Sequence, residues 1–70
     1  MMDEKTLTEL TREIMAQGYD AKTASNYAVL IGDTPCTDAE GNVLVFDGVH
    51  RVAKLKALNF FMPGSDIAVP

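Results

Sequence analysis

The stretch VLVFDGVHRVAKLKAL, residues 43–58, combines an apolar run, an Asp-Gly pair, a His-Arg pair and a helix-like segment. Its first four residues are apolar and predict a buried strand over 43–46. Asp47 and Gly48 end that strand, and we expect a helix over 49–58, with Asn59 in place of the usual terminal Gly. Three apolar residues recur at helical spacing in this second half: Val52, Leu55 and Leu58.

His50 and Arg51 stand where the predicted strand gives way to the predicted helix. The first turn of a helix presents unpaired N–H groups, and its dipole favours negative charge. Gly48 allows close approach of the backbone, and Arg51 can contact two oxygens at once. Asp47, Gly48, His50 and Arg51 are therefore the candidate residues of a phosphate site. The structural alternative is a helix start whose polar residues face water, with Arg51 paired to Asp47.

The N-terminal segment predicts a helix over 6–17. Thr6 and Glu9 form a capping-box pattern, and Gly18 suits the left-handed end of a helix. Three apolar residues share one face: Leu7, Leu10 and Ile14.

The middle of the chain allows two interpretations. YAVLIGD, residues 27–33, is short and apolar, and we expect a buried strand that pairs with 43–46 and is covered by helices. The alternative is a second helix beginning at Asp20, which would produce a helix-turn-helix. Residues 37–42 predict a turn, with Gly41 and Asn42 suited to positive φ, and DIAV predicts a short final strand over 66–69.

Length and charge limit the function. Seventy residues form at most one domain, 1–70, with a thin core. The net charge of −4 argues against broad binding to nucleic acid, yet Arg51, Lys54 and Lys56 form a local basic patch. No apolar run is long enough for a membrane span, so we expect a cytoplasmic protein. The single Cys36 cannot form an internal disulfide, and no metal-ligand spacing is present.

Two motifs resemble those of the ParB/sulfiredoxin superfamily. The first is a helix of the form L-x-x-I-x-x-x-G-[YLF], and the second is a strand ending in D-G-x-H-R before an Ala/Leu-rich helix. The first is carried by Leu10, Ile14, Gly18 and Tyr19, with three residues and not two between Leu10 and Ile14. The second is carried by Asp47, Gly48, His50 and Arg51. The similarity covers about residues 6–69.

The resemblance implies a small α+β domain in the order helix, strand, turn, strand, helix, with a short C-terminal strand. It also implies that the D-G-x-H-R turn binds a nucleotide, CTP or ATP/ADP, with Mg²⁺. Sulfiredoxins have a catalytic Cys, and partition-type members a Glu, where this chain has Val49. We therefore expect binding without turnover, and no catalytic residue.

Two other functions remain open. The chain could be a small acidic interaction module of cytoplasmic or phage type, which binds a protein partner or a second copy through Phe60, Phe61 and Met62. It could also be a helix-turn-helix regulator built from residues 6–32 with a hairpin wing at 34–46. That reading requires residues 27–32 to be helical, and its recognition helix would offer only Lys22 as a cation.

Overall fold

The computed structural model describes residues 3–59, which form two helices followed by a two-stranded antiparallel sheet. The fold is therefore a small α+β fold. The expected order of helix, strand, turn, strand and helix is wrong, because both helices precede both strands. The elements are α1 Glu4–Met15, α2 Ala21–Asp33, β1 Val43–Asp47 and β2 His50–Leu55.

The predicted N-terminal helix is confirmed as α1, although it begins earlier than expected. Asp3 is its N-cap, and a carboxylate oxygen of Asp3 accepts the backbone N–H of Thr6 at 2.8 Å. The cap is therefore Asp3 and not the pair Thr6 and Glu9. The hydrogen bonds from Thr6 hold the pKa of Asp3 below its ordinary value. Gly18 has φ +109° just beyond the helix, as its position predicts.

The strand expected over 27–33 is wrong, because these residues belong to α2. Asp20 caps this helix, accepting the Thr23 N–H at 3.2 Å, and hydrogen bonds from the side chain and backbone of Thr23 lower the pKa of Asp20. The helical period is visible only over the whole element, whereas the apolar run alone resembles a strand. The buried positions follow that period: Ala24, Ala28 and Ile31.

The strand expected over 43–46 is confirmed as β1, but its predicted partner and surroundings are not. It pairs with β2 and not with 27–32. Val43 and Val45 are buried, whereas Leu44 and Phe46 on the opposite face are half-buried. The core therefore covers one face of the hairpin, not both.

The helix expected over 49–58 is also wrong, because the chain reverses and returns as β2. Asp47 pairs with His50, so Gly48 and Val49 form a two-residue loop. Gly48 has φ +66°, and no non-glycine residue between 3 and 59 has positive φ. A positive φ at the first loop residue alone is the pattern of a type II′ hairpin turn, which matches the twist of the flanking strands.

A β-bulge hides this hairpin from sequence inspection. Val45 lies opposite Ala53 and Phe46 lies opposite Arg51, so Val52 is an extra residue in β2. The extra residue interrupts the alternation of apolar and polar positions that marks a strand. Val52 is 44% exposed, so it does not share the buried position of Leu55 and Leu58, with which it was grouped on one helix face.

A tight turn precedes β1, as predicted for residues 37–42. Thr37 bridges to Val43, and Asp38 accepts the backbone N–H groups of Glu40 and Asn42, both at 2.9 Å. The hydrogen bond from the Asn42 side chain is the largest cause of a lowered pKa at Asp38. The two backbone hydrogen bonds and the charge of Lys54 lower this pKa further. Gly41 has φ +85°, as predicted, but the positive φ expected at Asn42 is wrong, because only glycines have positive φ within 3–59.

One hydrophobic cluster joins the helices and the hairpin. It takes residues from α1, α2, β1 and β2, so each element buries its apolar face against the others. No polar side chain is buried among residues 3–59. The buried members are Leu10, Ile14, Ala24, Ala28, Ile31, Val43, Val45, Leu55 and Leu58.

Side chains near the end of α1 hold the chain as it leaves β2. The Gln17 amide donates to the carbonyl of Lys56 at 3.2 Å and accepts its N–H at 3.0 Å. Glu13, one turn earlier, accepts the N–H of Asn59 at 2.7 Å. These three hydrogen bonds fix the end of the hairpin against α1.

Two predicted features lie outside the described residues: the apolar patch Phe60, Phe61 and Met62, and the strand over 66–69. Within 3–59, neither helix has the length and apolar character needed to cross a bilayer.

Substitution of Gly48 tests the hairpin turn. A Cβ at this position would meet no atom within 4 Å, so any loss of stability comes from the backbone conformation. We expect Gly48→Val to reduce the free energy of unfolding by about 1–2 kcal/mol, and Gly48→Asn by clearly less, since Asn tolerates positive φ. Urea denaturation measures both, and equal stability of Gly48→Val and wild type would contradict the turn.

The lowered pKa values predict acid sensitivity. A carboxylate with a folded-state pKa below its unfolded value stabilises the protein above the unfolded pKa, and this stabilisation is lost as pH falls through the folded pKa. We therefore expect the free energy of unfolding to decline below about pH 4. Asp38→Asn should weaken this dependence. Asp33→Asn is the control, since Asp33 accepts no side-chain hydrogen bond within 3–59, and an equal effect of both would contradict the assignment.

Candidate functional site

The four residues predicted to bind phosphate lie together at the tip of the hairpin. Asp47 ends β1, Gly48 is in the loop, and His50 and Arg51 begin β2. All four are exposed, and the intervening Val49 is 88% exposed. The tip is therefore a projection from the molecule and not a cleft.

The physical argument for a phosphate site at a helix start does not apply to this tip. Arg51 was expected in the first turn of a helix, but it lies in β2 opposite Phe46. No helix dipole or row of unpaired helical N–H groups is aimed at a ligand there. Gly48 serves the turn, since its positive φ is what the hairpin requires. Arg51 nevertheless remains exposed and accessible to an anion.

The two helix starts in residues 3–59 do not replace the lost site. Asp3 caps α1 and Asp20 caps α2, each through a carboxylate that accepts a backbone N–H. A carboxylate at this position already supplies the negative charge that a helix start favours. A phosphate would have to displace it or approach it against like charge.

Charge is unevenly distributed along the chain. Residues 3–42 contain eight acids and three cations, a difference of −5, whereas residues 43–59 contain one acid and three cations, a difference of +2. The three cations are exposed: Arg51 and Lys54 in β2, and Lys56 directly after it. We call these three residues the basic strand.

Asp38 lies near one end of the basic strand. Its pKa is lowered mainly by the Asn42 side chain, and the charge of Lys54 adds to this effect. The turn before β1 therefore partly offsets the positive charge of Lys54. Arg51, nearer the tip, is the cation farther along the hairpin from this turn.

The outward face of α2 is the part of the surface that sequence reasoning missed. Ala24, Ala28 and Ile31 point into the core, so the opposite side of α2 faces solvent. The exposed residues fall at helical spacing along one line, which we call the α2 stripe. They are Lys22, Ser25, Asn26 and Val29. Their common direction depends on residues 27–33 being helical, and a strand would have divided them between two faces.

Metal binding finds no support in the described part of the chain. No group of three or more His, Cys, Asp or Glu side chains within 3–59 is placed to hold an ion. Cys36 is half-buried, and its sulfur lies 4.0 Å from the carbonyl oxygen of Thr37. The Mg²⁺ that the family resemblance implies would thus find no group of three such ligands among these residues.

Known proteins provide no match by which the family resemblance could be judged. No protein-family model, curated protein or solved structure matches the chain. The features that indicate a function are therefore the exposed basic strand, the α2 stripe and the order of helices and strands.

Proposed function

We propose that this chain is a small helix-turn-helix module with a hairpin wing that binds duplex DNA. The observation that carries the proposal is the order of elements. Two packed helices, α1 and α2, are joined by residues 16–20, and a hairpin with a basic second strand follows them. The helix-turn-helix hypothesis required residues 27–32 to be helical, and they lie within α2.

The hairpin adds cations that the helices lack. In this fold type the second helix enters the major groove, and flanking elements contact the phosphate backbone. The α2 stripe contains one cation, Lys22, whereas the basic strand contains three. Arg51 can contact a phosphate through two N–H groups, and Lys54 and Lys56 act as point charges. The wing of this proposal is the hairpin 43–55, not the segment 34–46 expected from sequence.

The shape of the tip favours a large polyanion over a free nucleotide. Sites for small ligands are concave and bury most of the ligand surface. Asp47, Gly48, His50 and Arg51 are all exposed on a projecting turn. A projection cannot enclose CTP or ATP, but it can lie along the backbone of a duplex, where successive phosphates supply the charge.

The net charge of −4 sets the expected strength of binding. The phosphate contacts would come from the three cations of the basic strand, so we expect about three contacts. The logarithm of affinity should then fall with the logarithm of salt with a slope of about −2.7. Binding should accordingly be weak and lose about 40-fold between about 50 mM and 200 mM salt.

Fluorescence anisotropy with a labelled duplex of about two helical turns tests the proposal. Arg51→Ala should weaken binding to all sequences alike and reduce the salt slope by about 1. Lys5→Ala is the matched control, because Lys5 is an exposed cation in the first turn of α1 and its loss changes net charge equally. It should leave the slope unchanged.

Two outcomes would overturn duplex binding: no anisotropy change at about 50 mM salt, or equal weakening by Arg51→Ala and Lys5→Ala. A nucleotide ligand is distinguished by thermal unfolding with CTP, ATP or ADP and Mg²⁺. We expect no shift of Tm. A shift with one nucleotide that disappears in Arg51→Ala would instead support a phosphate site for a small ligand.

A further inference from the structure

The α2 stripe has a composition suited to reading base edges. Asn can donate to and accept from one adenine, Ser can contact several bases, and Val can pack against the methyl group of thymine. Lys22 adds a cation at the beginning of the stripe, and Ser25, Asn26 and Val29 follow it. Acids stand only beyond its ends, at Asp20 and Asp33.

The polar side chains of the stripe are available for intermolecular contacts. Neither Ser25 nor Asn26 makes a side-chain hydrogen bond within residues 3–59, and both are exposed. The threonines of α1 behave differently. The Thr8 and Thr11 hydroxyls donate to carbonyl oxygens of their own helix, at 2.9 Å and 2.8 Å. The hydrogen-bonding capacity of Ser25 and Asn26 is thus directed outward, whereas these hydroxyls of α1 bond within their own helix.

We infer that the α2 stripe reads base pairs in the major groove, with Asn26 contacting adenine and Val29 the methyl group of a neighbouring thymine. This inference rests on the proposed binding of duplex DNA and assigns sequence preference to that site. The ligand is duplex DNA containing A·T pairs. Duplex RNA is excluded because its major groove is too narrow for side chains to read.

The length of the stripe sets the size of the recognised sequence. Lys22 and Val29 are separated by about 10 Å along the helix axis, at about 1.5 Å per residue. Successive base pairs are about 3.4 Å apart, so the stripe spans about three of them. Asp33 lies about 6 Å beyond Val29 and marks the end that turns away from the groove.

The charge at the beginning of α2 is balanced. Asp20 accepts the N–H of Thr23, and the positive charge of Lys22 lies two residues further on. The net charge at the start of α2 is therefore close to zero. The helix contributes selectivity for bases and little of the attraction to phosphate. The basic strand supplies most of the attraction to phosphate.

Selection of duplexes from a random pool, with wild type and Asn26→Ala, tests the inference. Wild type should enrich a short A·T-containing sequence, and Asn26→Ala should lose discrimination at one position by on the order of tenfold. Thr8→Ala is the control, because it removes an exposed polar group from α1 and not from α2. It should retain the selected sequence.

The outcomes separate the two proposals. If wild type binds duplexes with the expected salt dependence but enriches no sequence, or if Asn26→Ala retains the wild-type preference, base reading by α2 is wrong while duplex binding stands. If wild type binds no duplex, both are wrong. A protein partner then becomes the occupant to seek. Far-UV circular dichroism of each variant verifies that α2 remains folded.

Discussion

The left-handed backbone of Gly48 is the constraint on which the rest of the structure depends. With φ +66°, this residue allows the chain to reverse within two residues and brings Asp47 opposite His50. The following segment must then run back along β1 as a strand. Val43, Val45 and Leu55 consequently share one buried face and complete a core that two short helices alone could not close.

The reversal also determines the character of the surface. A helix after Asp47 would have placed Arg51 over a ligand at its start. The hairpin instead presents Arg51 and Lys54 on its second strand, with Lys56 directly after it, and all three are exposed. Because residues 3–42 are net acidic and 43–59 net basic, the positive field is confined to the hairpin. A small acidic protein can thus offer one surface to a polyanion while the rest of the molecule repels it.

The sequence predicted α1, β1 and the turn at 37–42, because each has a local signal: an amphipathic period, an apolar run and turn residues. α2 was harder, since four of its residues form an apolar run that resembles a strand. β2 was obscured by the bulge at Val52, although a two-residue loop beginning with Gly is a hairpin signal in its own right. The candidate residues at the tip were identified from the sequence. The α2 stripe was not, because the sequence alone does not show which face of α2 the core buries.

The most direct test of this account is the backbone conformation of residues 50–55 by NMR. We expect strand-type chemical shifts on both sides of the bulge at Val52, and contacts between the backbone protons of Val45 and Ala53 across the sheet. Helical shifts from 50 onward, with sequential amide contacts and no cross-strand contacts, would contradict the hairpin. They would return His50 and Arg51 to the first turn of a helix and to a phosphate site of the kind that the sequence first suggested.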